Sequence, residues 1–262
     1  MNKAILSVKK YTPVELRIFF RKIRWKFLYY CQSIMLLKIK KIFYCPIDDK
    51  RYRTFVKINN LSLSRDSGAR ARHRFIWFYL KNETELFNKK NISLLHISPE
   101  YNFYEKLRKI KMINYHPVDK FEPGYDYLSL TRNFDLLDEN PASEKYDFII
   151  CNHVLEHIID DEKAIRNLFS LLADNGTLIV TVPILKNNQP TYEDFSIISP
   201  EERKKHFGQW DHVRYYGTDI SERFQKAGFL VKTVKSGNYL TEKQRKEFGI
   251  PDELYLFRLS KM

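Results

Sequence analysis

Two periods of apolar residues run along this chain, one helical and one extended, and their order sets the architecture. Leu16, Phe20, Ile23, Phe27, Tyr30 and Ile34 recur at spacings of three and four, with Arg17, Arg21, Lys22, Arg24 and Lys26 between them. Ahead of them, Thr12-Pro13-Val14-Glu15 offers an N-cap threonine, a proline at the first helical position and a glutamate three after the cap. The pattern predicts a basic amphipathic helix. A second helical run from Arg74 turns Phe75, Phe78, Tyr79 and Leu86 inward. Beyond it, strands are predicted at residues 92–97, 112–116 with its end at Asp119, 127–130, 146–151 and 177–184, the last entered through an Asn175-Gly176 turn. Helices fall between them, at 104–111 and at 162–172, where Asp160 or Asp161 supplies the cap. Residues 185–216 form a polar stretch too long for an idle connection and are expected to be a lid or substrate loop. Thr218 or Asp219 then caps a helix ending near Ala227-Gly228, and strands at 229–234 and 254–259 suit a sheet whose final strand inserts antiparallel. Such alternation predicts an α/β chain with a doubly wound, mostly parallel sheet and helices on both faces.

Composition sharpens this picture at the front end. A length of 262 residues suits one large domain with an appendage, and 44% hydrophobic residues are enough to build its core. The charge of +13 is unevenly spread: residues 1–44 carry eleven Lys/Arg against one Glu (+10), residues 45–80 eight against three (+5), and residues 81–262 twenty-six against twenty-eight (−2). A partner chosen by charge therefore meets the arm of residues 1–44, and two fates stay open for it: packing on its own domain, or lying on an anionic membrane surface. Nucleic acid is not the expected partner, because the body offers no basic channel. The longest early run without a charge, residues 27–37, is 11 residues, short of the ~20 of a spanning helix. Three well-separated cysteines, Cys31, Cys45 and Cys151, make no disulfide framework and fit a reducing, cytoplasmic setting.

The run CNHVLEHIIDD sets polar and ionisable side chains straight after the apolar YDFII. Open α/β sheets bind small molecules outside the carboxyl ends of their strands, so this is either a ligand wall or a solvated strand-to-helix connection. The order LLHISPE, then Asp119 after the next strand, then YDFIICNHVLEHIIDDEKAIRNLFSLLADNGTLIVTVPI resembles the class I S-adenosylmethionine-dependent methyltransferases of the type 11 and type 23 groups, over about residues 68–236. The stretch TYEDFSIISPEERKKHFGQWDHVRYYGTDI is similar to an insertion in bacterial members linked to surface-glycan genes. The resemblance implies a Rossmann-like sheet of seven strands, an S-adenosyl-L-methionine cofactor across the ends of the first, second and fourth, and Asp119 on its ribose hydroxyls. Asn152, His153 and Val154 would wall it. The loop His96-Ile97-Ser98-Pro99-Glu100 stands where the family usually has G-x-G, and relatives in the glycan-linked group share a "PE" loop. For the adenine, counting back from Asp147 points to Asp135, and aligning the third strand points to Ser129 and Leu130. Those relatives often open with a double-knuckle zinc ribbon. Here Asp48, Ser64 and Ser67 stand where three of its cysteines would be, so residues 45–67 read as a degenerate ribbon, residues 68–262 as the methyltransferase domain, and no metal is expected.

Methyl transfer to a hydroxyl needs alignment and a base. His212 is the first candidate, with His206 and His153 behind it; Asp211 adjoins it, and Glu193, Asp194 or Glu156 are alternative partners for its imidazole. A structural loop histidine is the plainer alternative for His212. Arg203 and Arg214 are candidates to hold an anionic acceptor. The implied activity is O-methylation of a small-molecule, sugar or surface-glycan acceptor. Its rivals are a non-catalytic scaffold that kept the fold, and a nucleic-acid methyltransferase.

Overall fold

The structure, a computed structural model, describes residues 14–34, 42–59, 61–122, 127–139, 144–187 and 189–262. Helix α1 (Val14–Ile34) opens it, and the predicted capping residues Thr12 and Pro13 lie outside the described residues. The face that docks is not the predicted stripe. Leu16, Phe20, Ile23, Phe27, Tyr30 and Ile34 are all exposed, whereas Ile18, Trp25 and Tyr29 are buried against the domain. A helix that is apolar on two sides leaves periodicity unable to choose between them, and the socket chooses. The Trp25 ring covers Gly68 so closely that a Cβ there would stand 2.1 Å from it. Tyr29 meets Tyr52 edge-on at 5.9 Å, and Gln32 exchanges hydrogen bonds with the Lys57 backbone at 2.9 and 3.0 Å.

Two hairpins follow, β1 (Phe43–Cys45) with β2 (Lys50–Tyr52) and β3 (Val56–Ile58) with β4 (Leu61–Leu63). They bring the ribbon positions together without ribbon chemistry. Tyr52 donates to Asp48 at 2.8 Å, the Ser64 and Ser67 hydroxyls lie 2.9 Å apart, and Ser64 Oγ accepts from the Ala69 amide. Burial, aided by the Asp48 carboxylate, pushes the Cys45 thiol up to about 12. Nor do residues 45–67 stand apart. Cys45, Ile47, Phe55 and Val56 share one core with Phe75, Ile76, Phe248 and Ile250. Arg74 ties both ends of the chain: fully buried, it donates to the carbonyls of Ser62, Phe248 and Gly249 at 3.1, 2.6 and 3.0 Å and lies 3.9 Å from the Phe55 ring centre.

Helix α2 (Ala71–Glu83) leads into the central sheet, where β5 (Ile92–Ile97), α3 (Tyr101–Leu107), β6 (Ile113–Asp119), β7 (Arg132–Asn133), β8 (Tyr146–Asn152), α4 (Asp161–Leu171) and β9 (Leu172–Thr181) alternate. Residues 185–216 are folded rather than an open lid: β10 (Tyr192–Glu193) pairs with β11 (Arg214–Tyr215) around α5 (Pro200–Phe207). Then come α6 (Ile220–Lys226), β12 (Phe229–Lys235), α7 (Ser236–Tyr239), α8 (Glu242–Phe248) and β13 (Tyr255–Lys261). The strand order is β12-β13-β9-β8-β5-β6-β7, parallel from β9 to β7, with β13 inserted antiparallel between β9 and β12. This is the Rossmann-like seven-stranded sheet that the resemblance implied. The third strand falls elsewhere than predicted, because pairing takes only Arg132 and Asn133 while Leu130 is exposed and Tyr127 stacks on Phe121 at 4.3 Å. Asn175 and Gly176 lie inside β9, not before it. No helix among the described residues is long and apolar enough to cross a membrane.

Gly68 has φ +71° as well as the indole on its α-carbon. Gly68→Ala should therefore lower stability by more than ~1 kcal/mol and expose α1 to trypsin before the domain is cut. Urea midpoints and timed proteolysis check this, and a wild-type result would remove Trp25 as the anchor.

Candidate functional site

The sheet order sets the carboxyl ends of β6, β5 and β8 side by side, as a crevice-forming α/β sheet requires. Asp119 ends β6 half-buried, and the Ser98 hydroxyl donates to its Oδ1 at 2.7 Å. Burial raises the Asp119 carboxyl above its ordinary value, against the pull of that hydrogen bond. Ser98 and His153 both hold left-handed backbone, with φ +46° and +53°, so the chain turns sharply out of β5 and of β8 at this edge. Asp135 is brought to the same edge: the Phe134 amide donates to the Asp119 carbonyl, and Asp135 pairs with Lys120 at 3.1 Å. Leu130 is not, since its side chain is in solvent and its amide donates to the hydroxyl of Tyr104 in α3.

The glycine-free loop is built around Glu100, whose carboxylate points under the sheet edge. His96 is fully buried, its Nδ1 2.9 Å from the Tyr115 hydroxyl and its Nε2 3.8 Å from Glu100. His73 comes from α2, 3.6 Å from the other oxygen, with Arg72 at 4.0 Å, while Asn152 Nδ2 donates at 3.5 Å to the oxygen that His96 faces. Thr181 Oγ donates to Asn152 Oδ1 at 3.0 Å. Burial alone would raise Glu100, yet the His96 N–H and the Arg72 guanidinium facing it help hold the carboxyl down at about 2. Burial drives His73 down to about 3, so it is neutral and faces Glu100 as an N–H rather than as a cation. Its Nδ1 accepts from the Arg70 amide and from Asn102. Arg72 Nε, His73 Nε2, His96 Nε2 and Glu100 Oε1 are buried without a hydrogen-bond partner. The three nitrogens face the Glu100 carboxylate at 3.6–4.0 Å, beyond hydrogen-bond length. Ile97 does not join them, because its side chain belongs to the core with Leu95 and Val118, and Pro99 is only half-buried.

Beside this edge opens a cleft of about 1050 Å³, walled by Arg70 and Arg72 of the α2 start, His153, Thr181, Tyr215 and Arg245. His153 Nδ1 lies 3.0 Å from Glu156 Oε1, and Val154 packs half-buried behind it. The remaining predicted groups scatter. His206 sits on α5, 2.8 Å from the Tyr192 hydroxyl. His212 is buried, its Nδ1 donating to the Phe207 carbonyl at 3.0 Å, and burial lowers its pKa. Asp211 turns away from it to His157 at 3.3 Å. Asp194 serves Ser196, and Arg203 donates to the Ile197 carbonyl. Arg214 is no acceptor clamp. Buried to 1%, it donates to the carbonyls of Leu155, Ile158 and Ile159 and to Glu193 at 2.8 Å. Arg72, His73 and Thr181 went unnoticed as site residues in the sequence. The signal for the first two was position, immediately at the start of the helix that enters the domain.

A family described as a methyltransferase domain matches residues 71–234, more than half of the chain. The chain belongs to that methyltransferase family. Among solved structures, an S-adenosylmethionine-dependent methyltransferase from Mesorhizobium loti superposes at a TM-score of 0.50 and 11% identity, covering 71% of this chain and 97% of that one. An O-methyltransferase family protein from Burkholderia thailandensis superposes at 0.46 and 13% identity, covering 73% of this chain and 59% of that one. No curated protein matches. The likeness to the Mesorhizobium loti enzyme is one of fold alone.

Because the His73 imidazole is neutral in the fold with a pKa of about 3, the unfolded chain binds its proton more tightly, and stability falls as pH drops from 6.5 towards 3. Between pH 7 and pH 5 this group should remove about 2 kcal/mol. His73→Gln should flatten that part of the profile in urea titrations; an unchanged slope would show that His73 is not the group responsible.

Proposed function

We propose that this methyltransferase uses S-adenosyl-L-methionine to methylate a hydroxyl of an anionic sugar or glycan intermediate. The observation that carries the reading is the gathering of Asp119, the Ser98 turn, Glu100 and His153 along the ends of three adjacent parallel strands. The cofactor fits this chain in spite of the missing glycines. Asp119 would accept the ribose hydroxyls, and Asp135 would stand beside the adenine. Glu100 Oε1, a buried carboxylate oxygen without a hydrogen-bond partner, would accept the ammonium group. When bound, the cofactor supplies an electrophilic methyl group. The chain's own part is alignment and proton removal: His153, held by Glu156 and facing the cleft, takes the role first assigned to His212. Arg70 and Arg72, rather than Arg203 and Arg214, stand in the cleft wall where a phosphate or carboxylate of the acceptor would lie.

A paired experiment tests both halves. Asp119→Ala should weaken S-adenosylmethionine binding by about 1.5–3 kcal/mol in calorimetry, the worth of charge-assisted hydrogen bonds. His153→Ala should keep that affinity within a few-fold and lower turnover by about 10²–10⁴. Unchanged binding in a folded Asp119→Ala sinks the ribose assignment, and no heat with wild type would favour the scaffold reading.

The outward face of α1 supports contact with an anionic membrane. Phe19, Phe20, Ile23 and Phe27 are exposed beside Arg21, Arg24 and Lys26, which is how interfacial helices present themselves. Phe20→Ser with Phe27→Ser should cut sedimentation with phosphatidylserine vesicles by about 10-fold, and salt should weaken wild-type binding, each basic residue contributing on the order of 1 kcal/mol. Binding indifferent to both changes would leave α1 a purely internal brace.

A further inference from the structure

We propose that Glu156, His157 and His212 form a site for one divalent cation. One ligand atom from each residue lies within 4.8 Å of the other two, a spread that small side-chain rotations close onto a common ion. The His157 and His212 rings meet edge-on at 4.7 Å between centres. Proximity alone would be weak, and two further observations strengthen it.

The first is how each side chain is held from behind. His212 Nδ1 donates to the Phe207 carbonyl at 3.0 Å, which fixes the tautomer that leaves Nε2 with its lone pair. His157 Nδ1 faces Asp211 Oδ2 at 3.3 Å, and Glu156 Oε1 is taken by His153 at 3.0 Å. Metal-bound histidines are oriented in this way, by a carboxylate or carbonyl on the ring nitrogen that does not bind the ion. The second is Glu156 Oε2. The residue is 1% exposed, yet this oxygen has no hydrogen-bond partner. A buried carboxylate oxygen left unpaired is costly, and a cation removes the cost.

Two imidazoles and one carboxylate suit zinc, manganese, iron or cobalt better than calcium, and three protein ligands leave positions open to water or an acceptor oxygen. The ion would join the turn after β8 to the segment following α5, where the Val213 amide already donates to the Glu156 carbonyl at 2.9 Å. Glu156 also holds His153, so the ion would stand one hydrogen bond from the cleft wall.

Tag-free full-length protein, stripped with chelator and dialysed, should be titrated with Zn²⁺ and with Mn²⁺ beside Glu156→Gln and His157→Asn. One ion per chain should bind, the melting temperature should rise with ion concentration, and both variants should lose at least about 100-fold in affinity. Should Glu156→Gln fail to fold, His157→Asn decides alone, because that ring is partly exposed. Absence of stoichiometric binding by wild type, or equal binding by a folded variant, overturns the site. Neither readout involves cofactor or turnover, so failure here leaves the methyl-transfer reading standing.

Discussion

The guanidinium of Arg214 sets the geometry on which the active edge of the sheet depends. Leaving β8, the chain must turn at His153 and then run through a short helical turn whose carbonyls have no helix to receive them. Arg214 reaches in from β11 and donates to the carbonyl of Leu155 in that turn and to those of Ile158 and Ile159 just after it. Its charge is answered by Glu193 and, at 3.7 Å, by Asp161, which Arg223 and Tyr216 also bind. A buried cation is tolerated only when every donor has an acceptor, and truncating one partner of such a network typically costs about 3–5 kcal/mol. The consequence is functional. Residues 185–216 cannot swing freely as a lid, because their last strand is fastened to the floor of the site they were expected to cover.

A second constraint replaces the flexible glycine loop. In place of backbone amides freed by glycine, β5 is followed by a strained serine and a buried glutamate that gathers His73, His96, Arg72 and Asn152. The loop thereby gains side-chain polarity where the usual one offers only backbone. It also makes α2 part of the site, since Arg72 and His73 lie in that helix. Helix α2 is in turn held by Arg74, which ties it to the β3–β4 hairpin and to residues 248 and 249. The two hairpins therefore act as a packing wedge: Tyr52 is hydrogen-bonded to Asp48 and Ser64 to Ser67, and their apolar residues brace the helix that carries the pocket.

Much of the fold was legible because it rests on local patterns. The apolar runs 92–97 and 146–151 are β5 and β8, buried on both faces as parallel strands are, and Asp160 caps α4 through the Lys163 amide as its position predicts. The positions of Asp119, Asn152 and His153 at or just past strand ends were legible for the same reason, and strand ends are where a doubly wound sheet binds its ligands. Local pattern failed where two faces or two partners competed. The apolar row of α1 was legible as a helix, but periodicity left open whether that row packs on the domain, and only the gap above Gly68 distinguishes Trp25 from Phe27.

The sequence by itself determined most of the strands and helices of the central sheet, the antiparallel entry of the last strand and the family. All of these follow from periodicity, turn residues and motif order, which a single stretch of chain carries. Tertiary structure decided which side chains meet. Asp211 turned from its neighbour His212 to His157, Arg214 became a buried brace, and residues 72, 73, 100 and 152, up to 80 positions apart, converged on one spot. Such pairings depend on distances across the sheet and on which polar groups are left without water, and neither quantity exists until the chain has folded.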